Sequence, residues 1–85
     1  MPVLYFSMRG CAPCQTFQPI LQKTANQMGI QVNYIDVNAQ PQLTSEYNII
    51  SVPTIIVTTQ TGETLYRASG ALSATQLAQV FSMAK

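Results

Sequence analysis

Residues 6–21, FSMRGCAPCQTFQPIL, set Cys11 and Cys14 two residues apart where an apolar run gives way to a helical pattern. A Cys-x-x-Cys pair at such a junction is half a zinc site, a short disulfide, a redox centre or an accident of composition, and each needs different company elsewhere in the chain. Immediately upstream, Pro2–Ser7 (PVLYFS) is an apolar and aromatic run suited to a strand buried on both faces. Downstream, Phe17, Ile20, Leu21, Ala25 and Met28 recur at helical spacing, and Gly29 supplies a left-handed stop. Pro19 falls inside that helix, where it has no N–H to donate and crowds the carbonyl of Gln15, so a kink is expected.

Further along, residues 30–37 (IQVNYIDV) are rich in β-branched side chains and read as a second strand. Its connection to the first through a helix implies a right-handed parallel crossover. Residues 39–48 (AQPQLTSEYN) suit a short helix with Pro41 in its first turn and Asn48 as C-terminal cap. TIIVTT (54–59) and ETLYRAS (63–69) flank QTG and read as a hairpin that Gly70 ends. Ser73 followed by Gln76 fits a capping box that opens a last helix, with Leu77, Val80, Phe81 and Ala84 on its apolar face. The order is βαβαββα, and residues 1–85 are expected to form a single domain.

Composition narrows the functional classes. The chain has 85 residues, 47% of them hydrophobic and only 8% charged, so it can build a core and must surface it mostly with Gln, Asn, Ser and Thr. The net charge of +1 comes from Arg9, Lys23, Arg67 and Lys85 against Asp36, Glu46 and Glu63, scattered without a basic stripe. Binding to nucleic acid is therefore not expected, and partners should be recognised by shape and apolar contact at short range. No apolar run has the length of a membrane span and the N-terminus lacks a basic leader, so no membrane association and a cytoplasmic location are expected. In that compartment a persistent structural disulfide is uncommon, which shifts weight to a catalytic or metal-binding pair.

The thiolate, not the thiol, is the nucleophile, and the N-terminal turn of a helix favours it through the dipole and unpaired N–H groups. Cys11 occupies that position. Cys14 returns to the same side about one turn later, close enough for a disulfide and expected to be less exposed. This arrangement suits a nucleophile and a resolving thiol: Cys11 attacks a substrate disulfide and Cys14 displaces the mixed disulfide. Ala12 and Pro13 keep the loop low in bulk where a partner must approach, and Pro13 fixes one backbone dihedral. Structural zinc needs four ligands, which two cysteines and no histidine supply only by dimerising or recruiting carboxylates, so no metal or other cofactor is expected. A cysteine hydrolase would want a histidine beside its nucleophile.

CAPC after a strand, Pro19 five residues beyond, SVPT before the hairpin and SGALSATQL near the end together resemble the thioredoxin family over nearly the whole chain. Cys11, Pro13, Cys14, Pro19, Val52, Pro53, Thr54 and Gly70 fill the positions of the family pattern. The resemblance implies a thioredoxin-like α/β fold: a four-stranded mixed sheet, the first and last helices on one face and the middle helix on the other. It implies a cis Val52–Pro53 bond lying against the cysteines, with the Val52 backbone pairing with bound substrate like an added strand and Gly70 beside it. It implies a monomeric oxidoreductase acting on protein disulfides and recharged by a thioredoxin reductase or by glutathione. The acidic pair and double glycine of a glutaredoxin glutathione site are absent after the hairpin, which favours the thioredoxin-like reading. A glutathione-dependent reductase and a non-redox binding subunit of a larger complex are the alternatives.

The chain departs from the family in three ways. By the resemblance it is expected to open on the active-site strand, without the strand and helix that precede it in relatives. Gly10, preceded by Arg9, stands where the family carries a tryptophan, and Arg9 is a candidate to help hold the Cys11 thiolate. Finally, where relatives bury an Asp six residues before the first cysteine and pair it with a Lys on the next strand, the resemblance places Tyr5 and Val32 at the matching positions. Tyr5 is expected to approach Cys14 as a core residue that is a poor proton acceptor, since a tyrosine titrates near ~10.

Overall fold

In the computed structural model, which describes residues 2–85, the elements are β1 (Val3–Ser7), α1 (Ala12–Met28), β2 (Val32–Asp36), α2 (Pro41–Glu46), β3 (Thr54–Thr58), β4 (Thr64–Ser69) and α3 (Ala74–Met83). The four strands form one sheet in the order β2-β1-β3-β4. β1 pairs with β2 in parallel, while the β1–β3 and β3–β4 pairs are antiparallel. β1 is therefore central, and its alternating side chains serve two different cores, which is why PVLYFS lacks a polar face.

On one face Val3, Tyr5, Ile55 and Val57 pack against Phe17, Leu21 and Ala25 of α1 and against Leu77, Val80 and Phe81 of α3. On the other, Leu4, Phe6, Ile35 and Ile56 are covered by Leu43 of α2 and by Tyr47, Ile49 and Val52 of the segment that follows. Phe17, Leu21 and Phe81 are almost wholly buried, each contributing about 2 kcal/mol from the apolar area removed from water. The helices thus take the sides expected of them.

α1 runs through Pro19 as one helix and stops at Gly29, whose φ of 69° lets its N–H reach back to the carbonyls of Ala25 and Asn26. Ile20 does not join the buried stripe and is 41% exposed. Its direction lies about a quarter turn from the line through Cys14, Phe17, Leu21 and Ala25, so only the latter face the sheet. The second strand is shorter than the apolar run suggested, because Ile30 and Val37 lie outside the ladder and pack at its ends. The middle helix ends earlier too: Tyr47 is its C-cap, and Asn48 follows with φ 53°.

α3 opens with the reciprocal capping box, in which the Ser73 hydroxyl accepts from the Gln76 N–H (3.1 Å) and Gln76 Oε1 accepts from the Ser73 N–H (3.0 Å). Ser73→Ala removes one of these bonds from the helix that supplies Phe81 to the core. It is expected to cost about 1 kcal/mol. Urea unfolding should show this as a lower midpoint at unchanged slope.

Candidate active site

The topology brings three distant parts of the chain to one end of the sheet. Phe6 at the end of β1 is in register with Thr54 at the start of β3, and Thr54 in turn with Ser69 at the end of β4. The loop carrying Cys11, the segment ending in Pro53, and Gly70 therefore leave the sheet side by side.

Cys11 is the N-cap of α1, with extended backbone, and Pro13 sits in the first turn, where its missing N–H costs nothing. Gly10 (φ 80°) turns the chain from β1 into this cap, and the Cys11 N–H donates to the Met8 carbonyl (3.2 Å). Cys11 and Cys14 are joined as a disulfide with Cα atoms 5.2 Å apart, and the Cys14 N–H donates to Cys11 Sγ (3.2 Å). Cys11 is 7% exposed and Cys14 2%. Both cysteines are thus buried, Cys11 slightly less so, and the backbone N–H is aimed at Cys11 Sγ. Ala12 and Pro13 are exposed beside the pair, and Arg9 is exposed on the approach to it.

The Val52–Pro53 peptide bond is cis. Pro53 is buried and Val52 half-buried. The Pro53 carbonyl accepts from the Gly70 N–H (2.8 Å), and the Ser51 carbonyl from the Thr54 hydroxyl (2.8 Å). Among the described residues no hydrogen bond reaches the N–H or C=O of Val52, so its backbone is open for pairing with an added strand. Gly70 holds φ 87°, a left-handed turn that side chains resist, with open space where a Cβ would stand.

Two apolar side chains that sequence reading passed over lie here. Ile50 is 93% exposed and Met8 38%, and both border a shallow groove with Val37, Thr44, Ile49 and Val52. The signal was available in the adjacent isoleucines of residues 49–50: outside any regular element, one of two neighbours turns outward. Ile49 packs inward and Ile50 does not.

Tyr5 is fully buried, and its hydroxyl donates to the backbone carbonyl of Cys14 (3.2 Å) rather than to a sulfur. Burial first, and the neighbouring Tyr34 second, push its pKa up to about 12. A phenol that titrates there and already donates its proton is unsuited to act as a base. The residue across the parallel ladder from Tyr5 is Tyr34; Val32 stands opposite Val3, two positions short of the place inferred for it. Counting along the strand cannot reveal this offset, because the register is set between strands. Tyr5 instead contacts aromatic rings, with Tyr34 edge-on at 5.9 Å and Phe17 tilted at 6.0 Å between centroids. The buried polar residues among those described are Thr24, Thr54 and Thr58, so no buried carboxylate serves the cysteines. No group of three or more His, Cys, Asp or Glu among the described residues is placed to hold a metal ion, and no described helix is long and apolar enough to cross a membrane.

The thioredoxin family model matches residues 1–83. The chain is 37% identical over 81 residues to the thioredoxin-like protein slr0233 of Synechocystis sp., an alignment covering 92% of this chain and 76% of that one. It is 40% identical over 81 residues to chloroplastic thioredoxin Y of Oryza sativa subsp. japonica, covering 92% of this chain and 48% of that protein. A mutant thioredoxin from Halobacterium salinarum NRC-1 superposes with a TM-score of 0.87 at 27% identity, over 96% of this chain and 72% of the other. Thioredoxin 1 of Thermosipho africanus TCF52B shares the fold with a TM-score of 0.84 at 23% identity, over 98% of this chain and 92% of that one.

Proposed function

The chain belongs to the thioredoxin family and is a thiol-disulfide oxidoreductase, and on that premise we propose that it reduces polypeptide disulfides with Cys11 as nucleophile and Cys14 as resolving thiol. The observation that carries the assignment of the two sulfurs is the Cys14 N–H donated to Cys11 Sγ at the start of a 17-residue helix. In the reduced protein that donor and the helix dipole favour a thiolate on Cys11.

The cycle balances in two displacements. Cys11 thiolate attacks one sulfur of the substrate disulfide, forming a mixed disulfide and releasing the other substrate sulfur as thiolate. Cys14, once deprotonated, attacks Cys11 Sγ, forming the intramolecular disulfide and releasing the second substrate thiolate. Two electrons pass from the dithiol to the substrate, and the released thiolates take up protons. The open backbone of Val52 holds the substrate as an added strand, with Pro53 and Gly70 shaping the floor and Ala12 and Pro13 leaving room above. Ile50 and Met8 offer apolar contact to the residues flanking the substrate cysteine, which suits a protein with so few charges. Arg9, exposed beside the loop, adds positive charge near the Cys11 thiolate.

The electron donor is a thioredoxin reductase rather than glutathione, and the setting is the cytoplasm. The family supports a reductase partnership in general, and SGALS at residues 69–73 supports the choice, since it offers no acidic pair for a glutathione amine. The test is insulin reduction, followed by NADPH oxidation, with either NADPH-thioredoxin reductase or glutathione plus glutathione reductase as the supply. Turnover is expected with the first and less than about a tenth of it with the second. Turnover supported by glutathione alone would reverse the assignment.

A further inference from the structure

We propose that Arg67, on β4, is a positioning residue for the substrate-binding segment 49–53, acting through a guanidinium clamp on the carbonyls that follow α2. The inference rests on the reading of Val52 as the backbone that pairs with polypeptide substrates.

The clamp arises from how the short helix ends. Its last carbonyls have no donors within the helix, and a buried or constrained end needs partners from elsewhere. The N–H groups of Tyr47, Asn48 and Ile49 fold back onto the carbonyls of Leu43, Ser45 and Thr44 at 3.0–3.1 Å. This turn leaves the carbonyls of Tyr47 and Asn48 facing β4. Arg67 takes both, Nη1 donating to Tyr47 O and Nη2 to Asn48 O (2.6 Å). One planar guanidinium satisfying two successive carbonyls fixes direction as well as distance, which a lysine ammonium does not.

Asn48 is the residue that needs holding. It is the one described non-glycine residue at positive φ, 53°, a conformation that side chains resist unless their surroundings maintain it. The chain then runs through Ile49, Ile50, Ser51 and Val52 to Pro53, whose carbonyl is bound by the Gly70 N–H. Arg67 and Gly70 lie three residues apart, at β4 and its end. A single strand therefore grips the segment at both ends, upstream through a side chain and downstream through the main chain. Between the grips lies Val52, whose own backbone is unpaired among the described residues and depends on the anchors for its direction. Arg67 has no carboxylate partner among the described residues, and its hydrogen bonds go to Tyr47 and Asn48, just upstream of the segment.

Release of the upstream grip should weaken capture of an extended polypeptide without touching the sulfur chemistry. Arg67→Met keeps much of the aliphatic stem and removes both bonds; Arg67→Lys retains charge and one bond at most. The assay compares insulin with a small aromatic disulfide, 5,5′-dithiobis(2-nitrobenzoate), which has no polypeptide to lay along Val52. For insulin, Arg67→Met is expected to raise KM about threefold to tenfold at nearly constant kcat, as for charge-assisted bonds lost at an exposed site. Arg67→Lys should fall between. The rate with the small disulfide and the Cys11–Cys14 reduction potential should stay at wild-type values. Exchange of the Ile49 amide, which is bonded to the Thr44 carbonyl (3.0 Å) beside the clamped carbonyls, should quicken in both variants, and if Arg67→Met does not fold, Arg67→Lys carries the comparison. An unchanged insulin KM, or an equal loss on both disulfides, would overturn the role of Arg67 while leaving the proposed function standing. A wild-type protein that reduces neither disulfide would instead overturn the function itself, and the role of Arg67 with it.

Discussion

Cys11→Ser is expected to lower disulfide reduction to background, a loss of about a thousandfold or more, because a serine hydroxyl neither ionises near neutral pH nor attacks sulfur at a useful rate. Cys14→Ser should lose turnover to a similar degree for a different reason. Its Cys11 still attacks, but nothing displaces the adduct, so a one-to-one mixed disulfide with substrate should accumulate. Non-reducing electrophoresis and intact mass separate the outcomes, the adduct appearing with Cys14→Ser and absent with Cys11→Ser. The reverse pattern would exchange the roles now assigned to the two sulfurs. The structural reason for expecting this order is their setting: Cys11 is the cap of α1 with an N–H directed at Sγ, and Cys14 lies a turn inside and almost wholly covered.

The second large effect is on pH. Before Cys14 can resolve the mixed disulfide it must lose a proton, and the structure supplies no buried carboxylate among the described residues to take it. Tyr5, the polar group closest in role, donates its hydroxyl to the Cys14 carbonyl and has its pKa pushed up to about 12. The expected acceptor is water, in which case the resolution rate follows the fraction of Cys14 present as thiolate. Because burial disfavours the thiolate, it is the minor form at neutral pH, so the single-turnover rate should climb by up to about tenfold per pH unit from about pH 6 to about pH 8 and level off only at higher pH. The sign follows from the chemistry: higher pH means more thiolate and faster resolution. Quenched-flow decay of the mixed disulfide measures it, and a rate that stays flat across this range would show that some group of the protein takes the proton. Tyr5→Phe should leave the slope unaltered, because the hydroxyl is a donor here, while costing about 1 kcal/mol of stability through the lost bond to Cys14 O.

The aromatic setting of Tyr5 carries a stability logic. An unpaired buried charge is expensive, whereas Tyr5 buries its ring against Phe17 and Tyr34 and satisfies its hydroxyl on a main-chain carbonyl. Tyr5 and Phe17 are buried in this neutral aromatic cluster, and Tyr34 lies at its exposed edge.

Local features of the sequence were sufficient for much of this. The apolar run before Cys11, the stripe of α1, the stop at Gly29 and the Ser73–Gln76 box each depend on residues within a few positions of one another. Backbone propensity and side-chain capping act over that range, so these elements were legible along with the thiol pair. The Val52–Pro53 segment was legible only through its likeness to a family pattern, since nothing in SVPT itself states where in space it lies. Ile20 was misplaced by a quarter turn because periodicity indicates an apolar stripe without saying how wide a neighbour covers it.

What the sequence alone determined, then, is the order of elements and the redox pair. Tertiary structure decided which residues meet. It set Tyr34 rather than Val32 across from Tyr5, left Ile50 outward beside Met8 and Val52, and carried the Arg67 guanidinium to the carbonyls of Tyr47 and Asn48. The physical reason is common to all three. Strand register and packing are settled by the sum of many contacts between distant segments, and a shift of two residues in one strand pairs different side chains while leaving every local pattern intact.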